Sequence, residues 1–312
     1  MLFSDPIFIL FLFIVFTLLH FSKKEYNKYI LLVSSYFFYG FWDWRFLFLI
    51  FISTLADFRI GKKLYEVEEK RLKTLLLFLS VTINLGILGF FKYYNFFIDS
   101  LNLVGLAENS FNTLEIILPV GISFYTFQTM SYTIDIYRSE FKPINSFLDF
   151  ANFVAFFPQL VAGPIERAKN LVPQVQSFDG LVLKNIKPAL TLIFLGYVKK
   201  VLISDNISVY ADEYFLNFRD ISSMYALSGL IIFSMQIYFD FSGYSDIARG
   251  ISKLMGIDLM INFKQPYFSV KPSEFWRRWH ISLSSWLRDY LYIPLGGNRK
   301  GDFRTYINLM AT

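Results

Sequence analysis

The chain of 312 residues holds two histidines, His20 and His280, and no cysteine. Without cysteine there is no disulfide, no thiolate nucleophile and no sulfur-ligated zinc or iron–sulfur centre. Two histidines give no basis for a multi-histidine metal site, and no metal is expected. His280 stands in KPSEFWRRWHISLSSWLRDYLYIPLGGNR, residues 271–299. Ser273 after Pro272 predicts a helix N-cap. Trp276, Trp279, Leu283, Trp286, Leu287 and Tyr290 follow at helical spacing. That spacing puts His280 beside Trp276, Leu283 and Leu287 on the apolar face, flanked by Arg277, Arg278 and Arg288. A histidine of ordinary pKa among aromatics can accept a proton from an alcohol at neutral pH. The same pattern also suits a core histidine bonded to a helix carbonyl. His20, at the end of an apolar run before Phe21, Ser22 and Lys23, reads as an interfacial polar residue.

Three further segments carry polar groups. YFDFSGYSDIARG (238–250) offers Asp240, Ser242, Tyr244, Ser245 and Asp246 where an apolar run ends. Ionisable groups at membrane depth are costly and often functional. A glycine between small polar residues equally serves close helix approach, and Asp240 equally serves as a solvated acid. PQLVAGPIER (158–167) breaks an apolar run with Pro158, Gly163 and Pro164 and presents Gln159, Glu166 and Arg167. Glu166 and Arg167 can pair or bind an anion, and a simple turn explains the segment as well. PLGGNRK (294–300) reads as a turn, with Gly296 and Gly297 free to take positive φ. Its amides with Asn298, Arg299 and Lys300 can hold phosphate. No strand precedes it, so it is not a P-loop.

These residues need a scaffold, and the composition names it. Hydrophobic residues make up 54% of the chain and charged residues 18%, against about 25% charged in soluble domains. That balance excludes disorder, a coiled coil and an ordinary soluble enzyme. Apolar runs at 6–22, 29–42, 44–56, 74–91, 116–134, 188–210 and 224–239 predict membrane crossings. Residues 147–160 are too short for one and predict a re-entrant or interfacial piece. Lys23, Lys24 and Lys28 follow the first run, and 57–73 is strongly basic, whereas 100–113 has no Lys or Arg. The positive-inside bias then puts the N-terminus and 100–113 outside and 57–73 inside. It also accounts for the net charge of +5, and no nucleic-acid surface is expected. The apolar run begun at Tyr306 stops at Thr312, so the chain reads as cut inside an element.

FFPQLVAGPIER (156–167), QIYFDFSGYSDIARG (236–250) and FWRRWHISLSSWLRDYLYIPLGGNR (275–299) together closely resemble the membrane-bound O-acyltransferase (MBOAT) family, in its alginate O-acetyltransferase-like branch. The resemblance extends over the opening runs and SFYTFQTMSYTIDIYR (123–138). It implies an all-α polytopic bundle with re-entrant segments around a tunnel, forming one transmembrane domain over 1–312 that is incomplete at its C-terminus. It implies acetyl transfer from acetyl-CoA or a similar acyl thioester, a co-substrate rather than a bound cofactor. The acceptor is then a cell-surface polysaccharide, alginate-like or peptidoglycan, reached with a periplasmic acetyltransferase partner from the bacterial inner membrane. His280 matches the histidine of the family's RWH motif. The family's second histidine falls beyond residue 312, so residues 1–312 alone are not expected to complete transfer. The alternatives are a transporter or flippase of a lipid-linked sugar, or an inactive truncated remnant.

The topology has a direct test in this cysteine-free background. An impermeant maleimide should label Ser110→Cys in intact cells and Lys63→Cys only after permeabilisation. The reverse pattern would overturn the orientation.

Overall fold

The computed structural model describes residues 1–104, 113–216 and 222–312. The described residues form helices and connecting segments, with no strand among them. Most of the expected loop at 100–113 lies outside the described residues. The chain divides into two compact units. One contains residues 1–31, 162–166 and 173–312, and the other contains 32–161 and 167–172.

In chain order, α1 is Pro6–Phe21, α2 Lys24–Gly40, α3 Arg45–Glu66, α4 Lys70–Leu88 and α5 Tyr94–Leu103. α6 is Ile122–Tyr137, followed by the short α7 (Phe147–Ala155) and α8 (Phe157–Leu160), then α9 (Ala168–Gln176). α10 (Ile186–Tyr197) and α11 (Asp205–Leu216) precede the long α12, Ser223–Leu254. α13 (Pro272–Arg278), α14 (Ile281–Leu287) and α15 (Asp302–Met310) complete the set. Among the described residues, Lys70–Leu103 and Ser223–Leu254 are long and apolar enough to cross a membrane. Pro6–Phe21 is apolar but shorter.

Several boundaries differ from those expected. The fourth run extends to 70–103 because a π-helical stretch, Gly89–Tyr93, carries α4 into α5. The run at 116–134 is helical only from Ile122. Pro119 precedes the start, and Gly121 takes φ +74 where a Cβ would stand 2.3 Å from the Leu160 carbonyl oxygen. The run at 188–210 starts at Ile186 and passes through a π stretch, Val198–Ser204, into α11. The helix expected to end at Phe239 runs on to Leu254, so Asp240 lies within it. Lys200 bonds Asp240 at 2.5 Å and Lys199 bonds Asp246 at 2.6 Å, which lets the helix carry these charges. The apolar stretch at 147–160 breaks at Phe156 into two short, buried helices.

In the unit holding 32–161, α3, α4 and α6 enclose a buried polar cluster. Ser80 donates to Asp57 at 2.6 Å and Asn84 Nδ2 donates to it at 2.8 Å. Asn84 Oδ1 accepts from Ser53 and Thr129. The Tyr132 ring sits where a Cβ on Gly61 would be, 2.6 Å away, and its hydroxyl accepts from Ile144 N. At the Phe156 break, Gln128 donates to the Phe153 carbonyl at 2.6 Å and Gln159 donates to Gln128 at 2.7 Å. Ser35 accepts from Phe157 N at 3.2 Å. Gln159, expected as a tunnel residue, is thus tied to the break in its own unit.

In the other unit, α10 packs on α12 with almost nothing between the backbones. A Cβ on Gly243 would fall 2.7 Å from the Gly196 oxygen and 2.8 Å from Lys200 N. One on Gly250 would meet Ile193 at 2.6 Å and the Ala189 oxygen at 2.8 Å. Small residues at such positions are how membrane helices gain close packing. Gly243→Ala should therefore lower stability by about 1–3 kcal/mol, the usual cost of overpacking. Gly86→Ala, with nothing within 4 Å, should raise it by about 0.5–1 kcal/mol through helix propensity. Thermal unfolding in nanodiscs reads both, and equal effects would refute the close approach.

Candidate active site

The site grows from a connector without regular structure, residues 257–263, that leaves α12 through Gly256 at φ +71. Such a stretch needs outside partners for its backbone. Asp258 N donates to Gln174 Oε1 at 2.7 Å, and Gln174 Nε2 returns a bond to the Asp258 oxygen. Met260 N donates to Glu166 Oε1 at 2.5 Å. Lys264 N donates to the Arg278 oxygen, and Ile281 N donates to the Asn262 oxygen, both at 2.9 Å. Ser282 N donates to Asn262 Oδ1 at 3.3 Å.

These last bonds lie on either side of a sharp break. The continuous helix expected across 271–290 stops at Arg278. It is capped by Lys271 with Pro272 in its first turn, not by Ser273. Trp279 is extended and His280 is left-handed, φ 41 and ψ 55, before α14 starts at Ile281. The amides freed there are taken by the connector, which is why apolar spacing could not reveal the break. Arg288–Tyr292 then continues α14 as a π stretch.

The His280 ring meets the Phe241 ring edge-on, with centroids 4.6 Å apart, and lies nearly parallel to Phe263 at 6.4 Å. Trp279 stacks on Phe275 at 5.5 Å and contacts the edge of Phe263 at 5.1 Å. His280 lies outside the two long apolar helices. Burial lowers its pKa to about 4. At neutral pH it is therefore uncharged, the form in which an imidazole can accept a proton.

Phe263 also lines a pocket of about 600 Å³, walled further by Lys199, Tyr238, Arg249, Lys264 and Arg278. Asp246 joins two of these cations, Lys199 at 2.6 Å and Arg249 at 3.3 Å. Ser242 accepts from Lys199 at 3.0 Å. Glu274 pairs with Arg278 at 2.6 Å. Four cations against two carboxylates make the pocket suited to an anion.

Of the residues singled out from sequence, His280, Ser242, Asp246 and Arg278 thus gather around Phe263 and this pocket. Glu166, 1% exposed, braces the connector. Asp240 instead pairs with Lys200, and Tyr244 stacks on Phe3 at 4.2 Å. Arg277 is exposed, and so is Arg288, which pairs with Asp289. Asn298, Arg299 and Lys300 are exposed on the 294–300 turn, where Gly296 and Gly297 take φ +115 and +56. Arg167 belongs to the other unit. His20 is exposed at the end of α1, against the edge of Phe21. Sequence reading missed Asn262, Lys264 and Arg249. Asn262 sits in an unremarkable stretch, and only its contacts reveal it. Among the described residues no cluster of metal-ligating side chains occurs.

A model of the membrane-bound O-acyltransferase family matches residues 138–312, the stretch that contains the connector, the break and the pocket. Over its whole length the chain is 46% identical to the probable alginate O-acetylase AlgI of Pseudomonas putida, and covers 65% of that protein. It is 38% identical to the peptidoglycan O-acetyltransferase of Helicobacter pylori over 99% of this chain and 64% of that one. A match to the teichoic acid D-alanyltransferase of Bacillus subtilis is 32% identical over 56% of this chain and 45% of that one. The chain spans about three fifths of the length of the curated relatives that match it throughout.

Folding favours neutral His280, because its folded pKa lies below the ordinary 6.5. The unfolded chain then binds more protons between about pH 6.5 and pH 4. The stabilising contribution is whole above pH 6.5 and is lost as pH falls toward 4. The thermal midpoint in nanodiscs should fall between pH 7 and pH 4.5, and fall less in His280→Asn. An equal fall in both would remove His280 as the source.

Proposed function

The chain belongs to the membrane-bound O-acyltransferase family, and from that premise we propose that it serves in moving acetyl from a thioester donor to hydroxyls of a cell-surface polysaccharide. The observation that carries this reading is the neutral His280 held one aromatic ring away from a cationic pocket. The names of the relatives, an alginate O-acetylase and a peptidoglycan O-acetyltransferase, support a polysaccharide acceptor.

The chemistry needs a base, a charge-bearing donor site and protection from water. His280, with the second histidine expected beyond residue 312, takes the proton of the acceptor hydroxyl as its oxygen attacks the thioester carbonyl. The carbon–sulfur bond breaks, and the proton passes to the leaving sulfur. Polar groups around the carbonyl stabilise the developing oxyanion. Lys199, Arg249, Lys264 and Arg278 hold the phosphates of a coenzyme A-like donor. Phe241, Phe263 and Trp279 keep the imidazole in apolar surroundings, where a neutral base persists at physiological pH.

The basic loop at 57–73 supports a multi-pass arrangement in the bacterial inner membrane with the N-terminus outside. Delivery to the polysaccharide then falls to a periplasmic acetyltransferase partner, with acetyl arriving through re-entrant segments of the bundle.

The test expresses the extended reading frame in a deletion strain and measures ester-linked acetate on surface glycan. His280→Asn, which suits a left-handed backbone, should lower acetyl transfer by ~10²–10⁴-fold at equal expression. A well-expressed variant with wild-type acetate would reduce His280 to a packing residue. A deletion that leaves ester acetate unchanged would overturn acyl transfer and return the transport alternative.

A further inference from the structure

His280 occupies the N-cap position of α14, yet its side chain makes no capping bond. Residues at that position usually cap with their own side chain. Here the work is done from a distance. The Asn262 main-chain oxygen accepts from Ile281 N at 2.9 Å, and its side-chain oxygen accepts from Ser282 N at 3.3 Å. Asn262 is 1% exposed, so water does not compete for those bonds. A left-handed backbone at a non-glycine residue is strained and persists only where its surroundings enforce it.

We propose that Asn262 is a positioning residue: by capping α14 in place of His280, it holds the histidine backbone left-handed and keeps the imidazole against Phe241 and Phe263. Glu166 supports it from behind, since its bond to Met260 N fixes the connector two residues away. The orientation of the Asn262 amide is set by the Ser282 N–H, which requires an oxygen there. Its Nδ2 is then buried without a hydrogen-bond partner. An unpaired buried donor is itself costly, so what the asparagine side chain contributes here is its oxygen. The importance of this geometry for transfer rests on the reading that His280 takes part in it, but the geometry itself does not.

The experiment is spectroscopic, so that it stands apart from activity. With His20→Gln, the 312-residue chain keeps His280 as its single histidine. Histidine labelled with ¹³C and ¹⁵N then gives one imidazole signal in nanodiscs. The parent should show one sharp signal with a titration midpoint near 4. Asn262→Ala should broaden or split it and move the midpoint toward the ordinary 6.5. Asn262→Asp keeps an acceptor oxygen and should retain one sharp signal. Ile281→Pro approaches the same point with the Asn262 side chain unchanged, removing the N–H that Ile281 donates to the Asn262 main-chain oxygen. Proline is favoured in the first helical position but drives the preceding residue into the extended region. It should therefore leave α14 formed and release His280, with the same loss of signal. In the extended reading frame Asn262→Ala should lower acetyl transfer by roughly 10²-fold, the effect of a small misplacement. The proposal is overturned if Asn262→Ala keeps the parent's signal and midpoint, whatever Ile281→Pro or the activity shows. Changed spectra with unchanged transfer would instead count against the catalytic reading of His280 and leave the positioning role in place.

Discussion

A backbone amide or carbonyl released inside an apolar protein must find a partner within that protein, because lipid and apolar side chains offer none. That constraint is visible at three interruptions of the helices. At Phe156 the released Phe153 carbonyl is met by Gln128, which Gln159 supports. In the 257–263 connector, the amides of Asp258 and Met260 are met by Gln174 and Glu166. At His280, Asn262 meets the next two amides. Amide and carboxylate side chains therefore mark where the chain departs from helix. Two of them, Gln159 and Glu166, are site candidates in the sequence and here also fasten the chain at these breaks.

The electrostatic design follows the same economy. Buried charges are costly unless paired. Asp246 joins Lys199 and Arg249, and Asp240 and Asp205 share Lys200. The long α12 tolerates two carboxylates because the π stretch at Val198–Ser204 presents two consecutive lysines to it. The pairing is incomplete around the pocket, and Lys264 is one cation there that neither Asp246 nor Glu274 reaches. A surplus of positive charge beside a neutral histidine suits an anionic donor and a proton acceptor at once.

Much of this was legible in the residues. Composition marked a membrane chain, glycine pairs marked the 294–300 turn, and the RWH segment marked the histidine. The break at Trp279–His280 was not legible, because apolar spacing runs straight through it from Trp276 to Leu287. Its cause lies in Asn262 and Lys264, more than a dozen residues earlier, and no local pattern records such bonds. Asp57 was hidden for another reason. It stands where an apolar run meets a basic loop and looked solvated, whereas Ser80 and Asn84 from α4 bury it. The apolar run ends at Phe239 because Asp240 and Asp246 follow it, and lysines on a neighbouring stretch supply the partners that let the helix continue.

The contact between α10 and α12 has a mechanical consequence. Where Gly196, Gly243 and Gly250 bring the two backbones together, few side chains intervene that could change rotamer and let one helix slide on the other. The pair behaves as a single stiff beam, carrying Lys199, Ser242, Asp246 and Arg249 at fixed spacing. Any compliance of this pocket then has to come from its remaining lining. That lining includes part of the 257–263 connector, fastened by separate hydrogen bonds that can yield one at a time. The site is thus an anvil of helices with a spring of irregular chain, and the break that carries its histidine is bonded to that spring through Asn262.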